Sequence, residues 1–253
     1  MLRSIAKQLL DCCVNSALGR GFMRLVLQAY QYRLLSDRAI GQIRLDLLRS
    51  HARSTTDKIN PQPAHPRLHV GCGERRVPGW LNIDLTDAHA SIDLACGKLP
   101  WESSCFEAIV SQQVIEHLEL HHELKPLIAE LFRVCAPEAE VWLSCPDLEK
   151  VCNAYVKDKA QELLDDKIER MSSNANIGMD GVPSQHFVNL LFDQSGEHKN
   201  LFDLELLTWL LETHGFSDVV RKTESDFLTR FPEFPPRRDD FHSLYVRAKK
   251  ILK

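Results

Sequence analysis

The sequence predicts an α/β protein: a doubly wound, mostly parallel sheet preceded by an N-terminal helical extension. Three observations lead there. From residue 67 onward, short apolar runs of strand length alternate with stretches of helical periodicity, the pattern of strand–crossover–strand units. A glycine-rich turn, "HVGCGE", follows the first of those runs, at the edge where open parallel sheets bind ligands. Before residue 54 the apolar residues recur at helical spacing and no strand pattern occurs.

Residues 1–53 are expected to form the helical extension. Apolar or small residues at 2, 5, 6, 9, 12, 13, 16 and 17 give a first helical face, and further helices are expected over 22–35 and 38–49. This segment carries nine Lys/Arg against three acids, a balance of +6, so with a net charge of −4 the remainder carries −10. An acidic body argues against nucleic-acid binding, and the extension reads as a cap on the main domain rather than a membrane-surface segment. Its start is basic and amphipathic, but Asp11 breaks the apolar run, so a retained helix is expected rather than a targeting signal. No apolar run reaches the roughly 20 residues of a membrane span.

Residues 54–66, "STTDKINPQPAHP", hold three prolines and no periodicity, which makes them a linker. The main domain is then 67–253. Its seven expected strands are 68–71, 81–85, 91–94, 108–111, 140–145, 217–222 and 241–250, the last as a returning edge strand. Helices are expected through "ELKPLIAELFRV", "LEKVCNAYVKDKAQELLDDKIERM" and "LELLTWLLETHGF", whereas "SSNANIGMDGVPSQHF" reads as loop.

Apolar content of 44% and charged content of 26% are ordinary for a globular chain. The eight cysteines include no CxxC pair, so no structural zinc site, and no metal, is expected. Most lie in or beside apolar runs, as buried free thiols do, and a reducing cytoplasm is the expected location.

The glycine turn narrows the ligand. A dinucleotide fingerprint needs a third glycine where Arg76 stands, and an acid about 20 residues on; here Asp84 comes 13 residues after Gly71. A phosphate-binding P-loop needs a GK[ST] that is missing. A ligand carrying a ribose diol suits a close backbone approach at Gly71 and Gly73 with a carboxylate, Asp84, at the end of the second strand.

At this point the sequence resembles the class I S-adenosylmethionine-dependent methyltransferases, in the small-molecule, type-11-like group. "LHVGCGE" is similar to their first motif and "LNIDL" to their second. "IDLACGKLPWESSCFEAIVSQQVIEHL" is similar to their adenine-binding segment and fourth strand, and "LFRVCAPEAEVWLSCPD" to the stretch around their fifth. The resemblance covers about 67–147. It implies a Rossmann-like methyltransferase fold with a seven-stranded sheet and S-adenosylmethionine as cofactor. It further implies that Gly71 and Gly73 line the methionine moiety, Asp84 binds the ribose, Asp93 meets the adenine amino group, Leu94 offers backbone to the ring, and Gln112 borders the methionine end. The eight residues 72–79 are too few for the family's usual first helix, so a loop or single turn is expected there, and Pro137-Glu138-Ala139 replaces Pro-Gly-Gly.

Methyl transfer to oxygen or nitrogen needs a positioned acceptor and, where it carries a proton, a base. Glu116 and His117 open the segment after the fourth strand, and His198 lies in the long insertion after the fifth; these are the candidate catalytic residues, with His186 ranked below them. A small-molecule acceptor is expected, approaching over the 174–200 loop. The alternative is a methyltransferase-like binding domain whose basic helices are the working surface.

Overall fold

The computed structural model describes residues 17–86, 88–170, 179 and 181–251. The helix expected over 2–17 and the paired Cys12 and Cys13 therefore lie almost wholly outside the described residues, as does most of the 172–180 stretch. In chain order the regular elements are α1 (Ala17–Gln31), α2 (Asp37–Thr56), β1 (Arg67–Val70), β2 (Leu81–Asp84), β3 (Ala90–Ser91), β4 (Phe106–Gln112), α3 (Lys125–Val134), β5 (Cys135–Pro146), α4 (Leu148–Asp158), α5 (Gln161–Arg170), α6 (Gln185–Asp193), α7 (Leu204–Thr213), β6 (Ser217–Lys222), α8 (Glu224–Arg230) and β7 (Ser243–Lys249).

The strands form one seven-stranded sheet in the order β3-β2-β1-β4-β5-β7-β6. Strands β1 to β5 pair in parallel, and β7 runs antiparallel to both β5 and β6. This is the doubly wound, mostly parallel, Rossmann-like seven-stranded sheet that the sequence implied. One correction concerns the edge: β6, not the terminal strand, is outermost, and β7 inserts between β5 and β6. Its "SLYV" is buried at every position, as an interior strand requires.

Each sheet face has its own cover, because successive side chains alternate. Ile109, Val141, Leu143 and Val246 face α3 and α7, which contribute Leu127, Ile128, Leu131, Leu207, Leu210 and Leu211. In α3 those positions recur at helical spacing, and Pro126 sits in its first turn, where a missing N–H costs nothing. The other face presents Ala108, Val110, Trp142 and Tyr245 to an aromatic cluster of Trp80, Phe227, Phe231 and Phe234. Trp80 meets Phe231 and Phe234 edge-on at 5.2 and 4.9 Å.

Two expected features changed. The run expected as a strand over 91–94 is a two-residue β3 followed by a 3-10 turn, Leu94–Cys96, because Asp93 accepts from Ala95 N–H at 3.1 Å and starts the turn. Part of the expected 172–187 loop is helix: α6 begins at Gln185 and buries Phe187 and Val188. Helix α8 was not anticipated; a capping box between Thr223 and Asp226 opens it.

The loop between β1 and β2 contains no helix, as its length predicted. Asn82, 1% exposed on β2, holds it. Its amide donates to Val77 O and Trp80 O at 2.9 and 3.0 Å, and its carbonyl accepts from Val77 N–H at 2.9 Å. His69 Nδ1 lies 3.0 Å from the same carbonyl oxygen, which assigns the proton to Nδ1.

Two predictions follow from this node. Asn82→Ala strands the buried Val77 and Trp80 groups and is expected to lower the unfolding free energy by about 2–4 kcal/mol in a urea titration. Burial pulls the His69 pKa from 6.5 down to about 4. The unfolded chain therefore takes up a proton that the folded one does not hold, so this stability is present above pH 6.5 and is lost as the pH falls toward 4. The loss is roughly 3 kcal/mol at most, at about 1.4 kcal/mol per pH unit. His69→Gln should make the fall in Tm over that interval shallower than in the wild type.

Candidate active site

The carboxyl ends of the parallel strands carry the predicted cofactor residues. Gly71 and Gly73 follow β1, Asp84 ends β2, Asp93 and Leu94 follow β3, and Gln112 ends β4. Gly71 N–H and Cys72 N–H both donate to Ile83 O, at 2.8 and 3.1 Å, which folds the turn back onto β2. Gly73 N–H then donates to Asp84 Oδ2 at 2.8 Å, while Leu85 N–H donates to Asp84 Oδ1 at 2.6 Å. A half-exposed carboxylate is thereby fixed beside two glycines.

The two glycines serve different purposes. Gly71 has φ +68°, and a Cβ there would lie 2.2 Å from Val114 Cγ2; backbone and packing both demand glycine. Gly73 has φ +51°, but a Cβ there would meet nothing within 4 Å. Its α-carbon faces open space that a side chain would fill. Such a cradle, with a carboxylate at its rim, fits the ribose and amino-acid parts of an S-adenosyl ligand.

Asp93 is placed differently from what its predicted role needs. Its carboxylate, 3% exposed, accepts from Arg53 Nε at 2.9 Å, and Arg49 Nε lies 3.7 Å away. The two arginines come from α2, whose Ala52 is fully buried. Leu94 is buried beside it, and Gln112 is 7% exposed at the end of β4. Sequence reasoning did not anticipate the arginine clamp, although Arg49 and Arg53, four residues apart, share a helical face. A cleft of about 780 Å³ between α2 and β3, lined by His51, Thr55, His65, His89, Ser91 and Trp101 among others, contains none of the predicted site residues.

The candidate catalytic residues converge. Glu116 and His117 occupy a 3-10 turn, Ile115–His117, just past β4. His198 arrives from the far end of the insertion, and the His117 and His198 rings meet edge-on with centroids 4.9 Å apart. Backbone bonds hold the two segments together: Lys199 N–H and Asn200 N–H donate to Glu116 O at 2.7 and 3.2 Å. Glu116 is 1% exposed, and neither carboxylate oxygen has a hydrogen-bond partner among the described residues. Burial pushes its pKa up to about 8. Burial likewise lowers the pKa of His117 and of His198, and His198 is lowered further by His117, which favours the neutral imidazole in both. His186 stands apart on α6, beside Asn189.

No protein-family model and no curated protein matches the chain. Among solved structures, it is similar to phosphoethanolamine N-methyltransferase 2 of Haemonchus contortus in complex with S-adenosyl-L-methionine, at 12% identity and TM-score 0.39, over 81% of this chain and 53% of that one. The chain thus spans about half the length of that protein. It is similar to an S-adenosylmethionine-dependent methyltransferase of Mesorhizobium loti at 15% identity and TM-score 0.39, over 79% and 96% of the two chains. It is also similar to a SAM-dependent methyltransferase of Archaeoglobus fulgidus at 13% identity and TM-score 0.41, over 80% and 94%.

The two glycines should separate in a thermal melt. Gly71→Ala, with its clash against Val114, is expected to cost several kcal/mol, whereas Gly73→Ala should cost about 1–2 kcal/mol of left-handed backbone strain alone. Equal losses in Tm would contradict the open space in front of Gly73.

Proposed function

We propose that this protein is an S-adenosylmethionine-dependent methyltransferase acting on a small-molecule acceptor, at oxygen or nitrogen. The observation that carries this reading is the Gly71–Gly73 turn hydrogen-bonded to Asp84 at the carboxyl edge of a doubly wound sheet. The motifs in order along residues 67–147 support it.

In this reading Asp84 exchanges its bond to Gly73 N–H for the ribose hydroxyls, and the freed N–H faces the ligand. Gly73 gives the ligand room, and Gln112 borders the reacting end. When bound, S-adenosylmethionine supplies a methyl group on a sulfonium, whose sulfur leaves as a neutral thioether. The protein's share is then to position the acceptor and receive its proton. Glu116, His117 and His198 lie where an acceptor crossing the same strand edge would arrive. A neutral imidazole can accept a proton, and the desolvated surroundings favour that neutral form.

The test is calorimetry with S-adenosylhomocysteine, followed by turnover on a panel of hydroxylated and amine acceptors. Asp84→Ala should weaken binding by about 1–3 kcal/mol, roughly 5- to 150-fold, with the fold intact by circular dichroism. Gly73→Ala should block binding outright. Unchanged affinity in both variants would overturn the reading.

A further inference from the structure

The sequence shows no metal-ligand spacing, but the fold assembles a donor set from distant segments. We propose that Glu116, His117 and His198 bind a divalent first-row metal ion, whose open coordination positions take the oxygens of a hydroxylated acceptor. The metal site stands on geometry alone; its role toward an acceptor rests on the methyltransferase reading above.

A carboxylate oxygen of Glu116 and a ring nitrogen from each histidine all lie within 4.8 Å of one another. Such a set closes around an ion at about 2.0–2.2 Å with small side-chain rotations. Among the described residues it is the group of His, Cys, Asp and Glu side chains that meets this spacing.

The state of Glu116 points the same way. A buried carboxylate without a partner is costly, and buried charges are ordinarily paired or bound to metal. Among the described residues both Glu116 oxygens are buried and unpartnered, and the cations Lys199 and Arg237 are committed elsewhere. Lys199 Nζ pairs with Glu123 at 2.6 Å, and Arg237 Nε pairs with Asp239 at 3.1 Å.

The histidines are held as metal ligands are held. His117 Nδ1 lies 3.3 Å from Glu197 O, and His198 Nδ1 lies 2.7 Å from Leu191 O. A carbonyl can only accept, so each Nδ1 carries the proton and each Nε2 lone pair is left for a ligand. Backbone carbonyls commonly orient metal-bound histidines in this way. Lys199 N–H and Asn200 N–H, bonded to Glu116 O, keep the His198 segment beside the carboxylate.

Two imidazoles and one carboxylate, with no thiolate, suit zinc, manganese or ferrous iron. Three protein ligands leave positions open, as in catalytic rather than structural sites. With the ion bound both imidazoles act as ligands rather than as bases, so an acceptor hydroxyl bound there, made more acidic, gives its proton to water at the strand edge. This makes a hydroxylated acceptor, preferably with two adjacent oxygens, the expected substrate class.

The full chain, stripped with a chelator, is titrated calorimetrically with zinc chloride and, separately, manganese chloride. One bound ion per chain is expected, weakened at least ~100-fold in Glu116→Gln and in His198→Ala, since losing a ligand costs more than losing its orienting partner. His121→Ala/His122→Ala removes an exposed histidine pair and should bind metal like the wild type; loss in that variant would assign binding to the surface and overturn the site. Thermal melts and S-adenosylhomocysteine affinity, retained in each variant, separate ligand loss from unfolding. No metal uptake by a wild type that binds S-adenosylhomocysteine would overturn the metal site and leave the methyltransferase reading. Metal uptake without S-adenosylhomocysteine binding would do the reverse.

Discussion

The four contacts of the Asn82 side chain are the constraint on which the glycine turn depends. Parallel strands are ordinarily joined by a crossover helix, which here would fix the chain's return from β1 to β2. Here ten residues, 71–80, make that return without one, and a single buried amide substitutes for the helix. By gripping Val77 twice and Trp80 once, it fixes the end of the loop as Ile83 O fixes its start. Gly73 and Asp84 are then brought within a hydrogen bond of each other. The geometry of the candidate cofactor edge is thus set by a residue that does not face it.

A missing helix also leaves a sheet face to be covered. Trp80 fills part of it, and the phenylalanines of α8 and the following loop fill the rest. Aromatic rings suit this, because edge-on contacts cover area from a short stretch of chain. Trp80 is tied down in turn by its indole N–H, which donates to Glu233 at 2.8 Å. The loop after β1 and the segment after β6 therefore support each other across 153 residues of sequence. Helix α2 is joined by its arginines to Asp93 and Glu123, so the extension contacts the same edge of the sheet that carries the glycine turn.

Much of this was legible in the sequence where one local rule decided the outcome. Short apolar runs of strand length marked β1, β2, β4 and β5, and short spacing marked the helix-free loop. The order of glycines and acids gave residues that do line up along one edge. What escaped depended on distant partners. The sequence "SIDL" has strand character, but the side-chain bond from Asp93 ends the strand early. The place of β7 inside the sheet follows from pairing to β5 and β6, which periodicity does not encode. The arginines on Asp93 and the meeting of Glu116 with His198 lie between segments far apart along the chain. Their residue types were visible, and their proximity was not.

The insertion of β7 between β5 and β6 has a consequence for how the sheet is made. Strand β6 is synthesised before β7, yet among the described residues its one neighbour in the sheet is β7. It cannot dock until the later strand has emerged and zipped onto β5. Until then the growing chain carries an open flank on β5, and the aromatic face lacks Tyr245. The buried Lys250, which donates to Phe132 O and Cys135 O at 2.8 Å, closes the seam only after β7 is in place. A nascent chain stopped before residue 243 would hold the glycine turn and the Glu116 turn beside an unsatisfied strand edge, the state most open to aggregation. The late strand thus acts as a closing bolt, and its arrival sets the moment at which the sheet becomes safe from its neighbours.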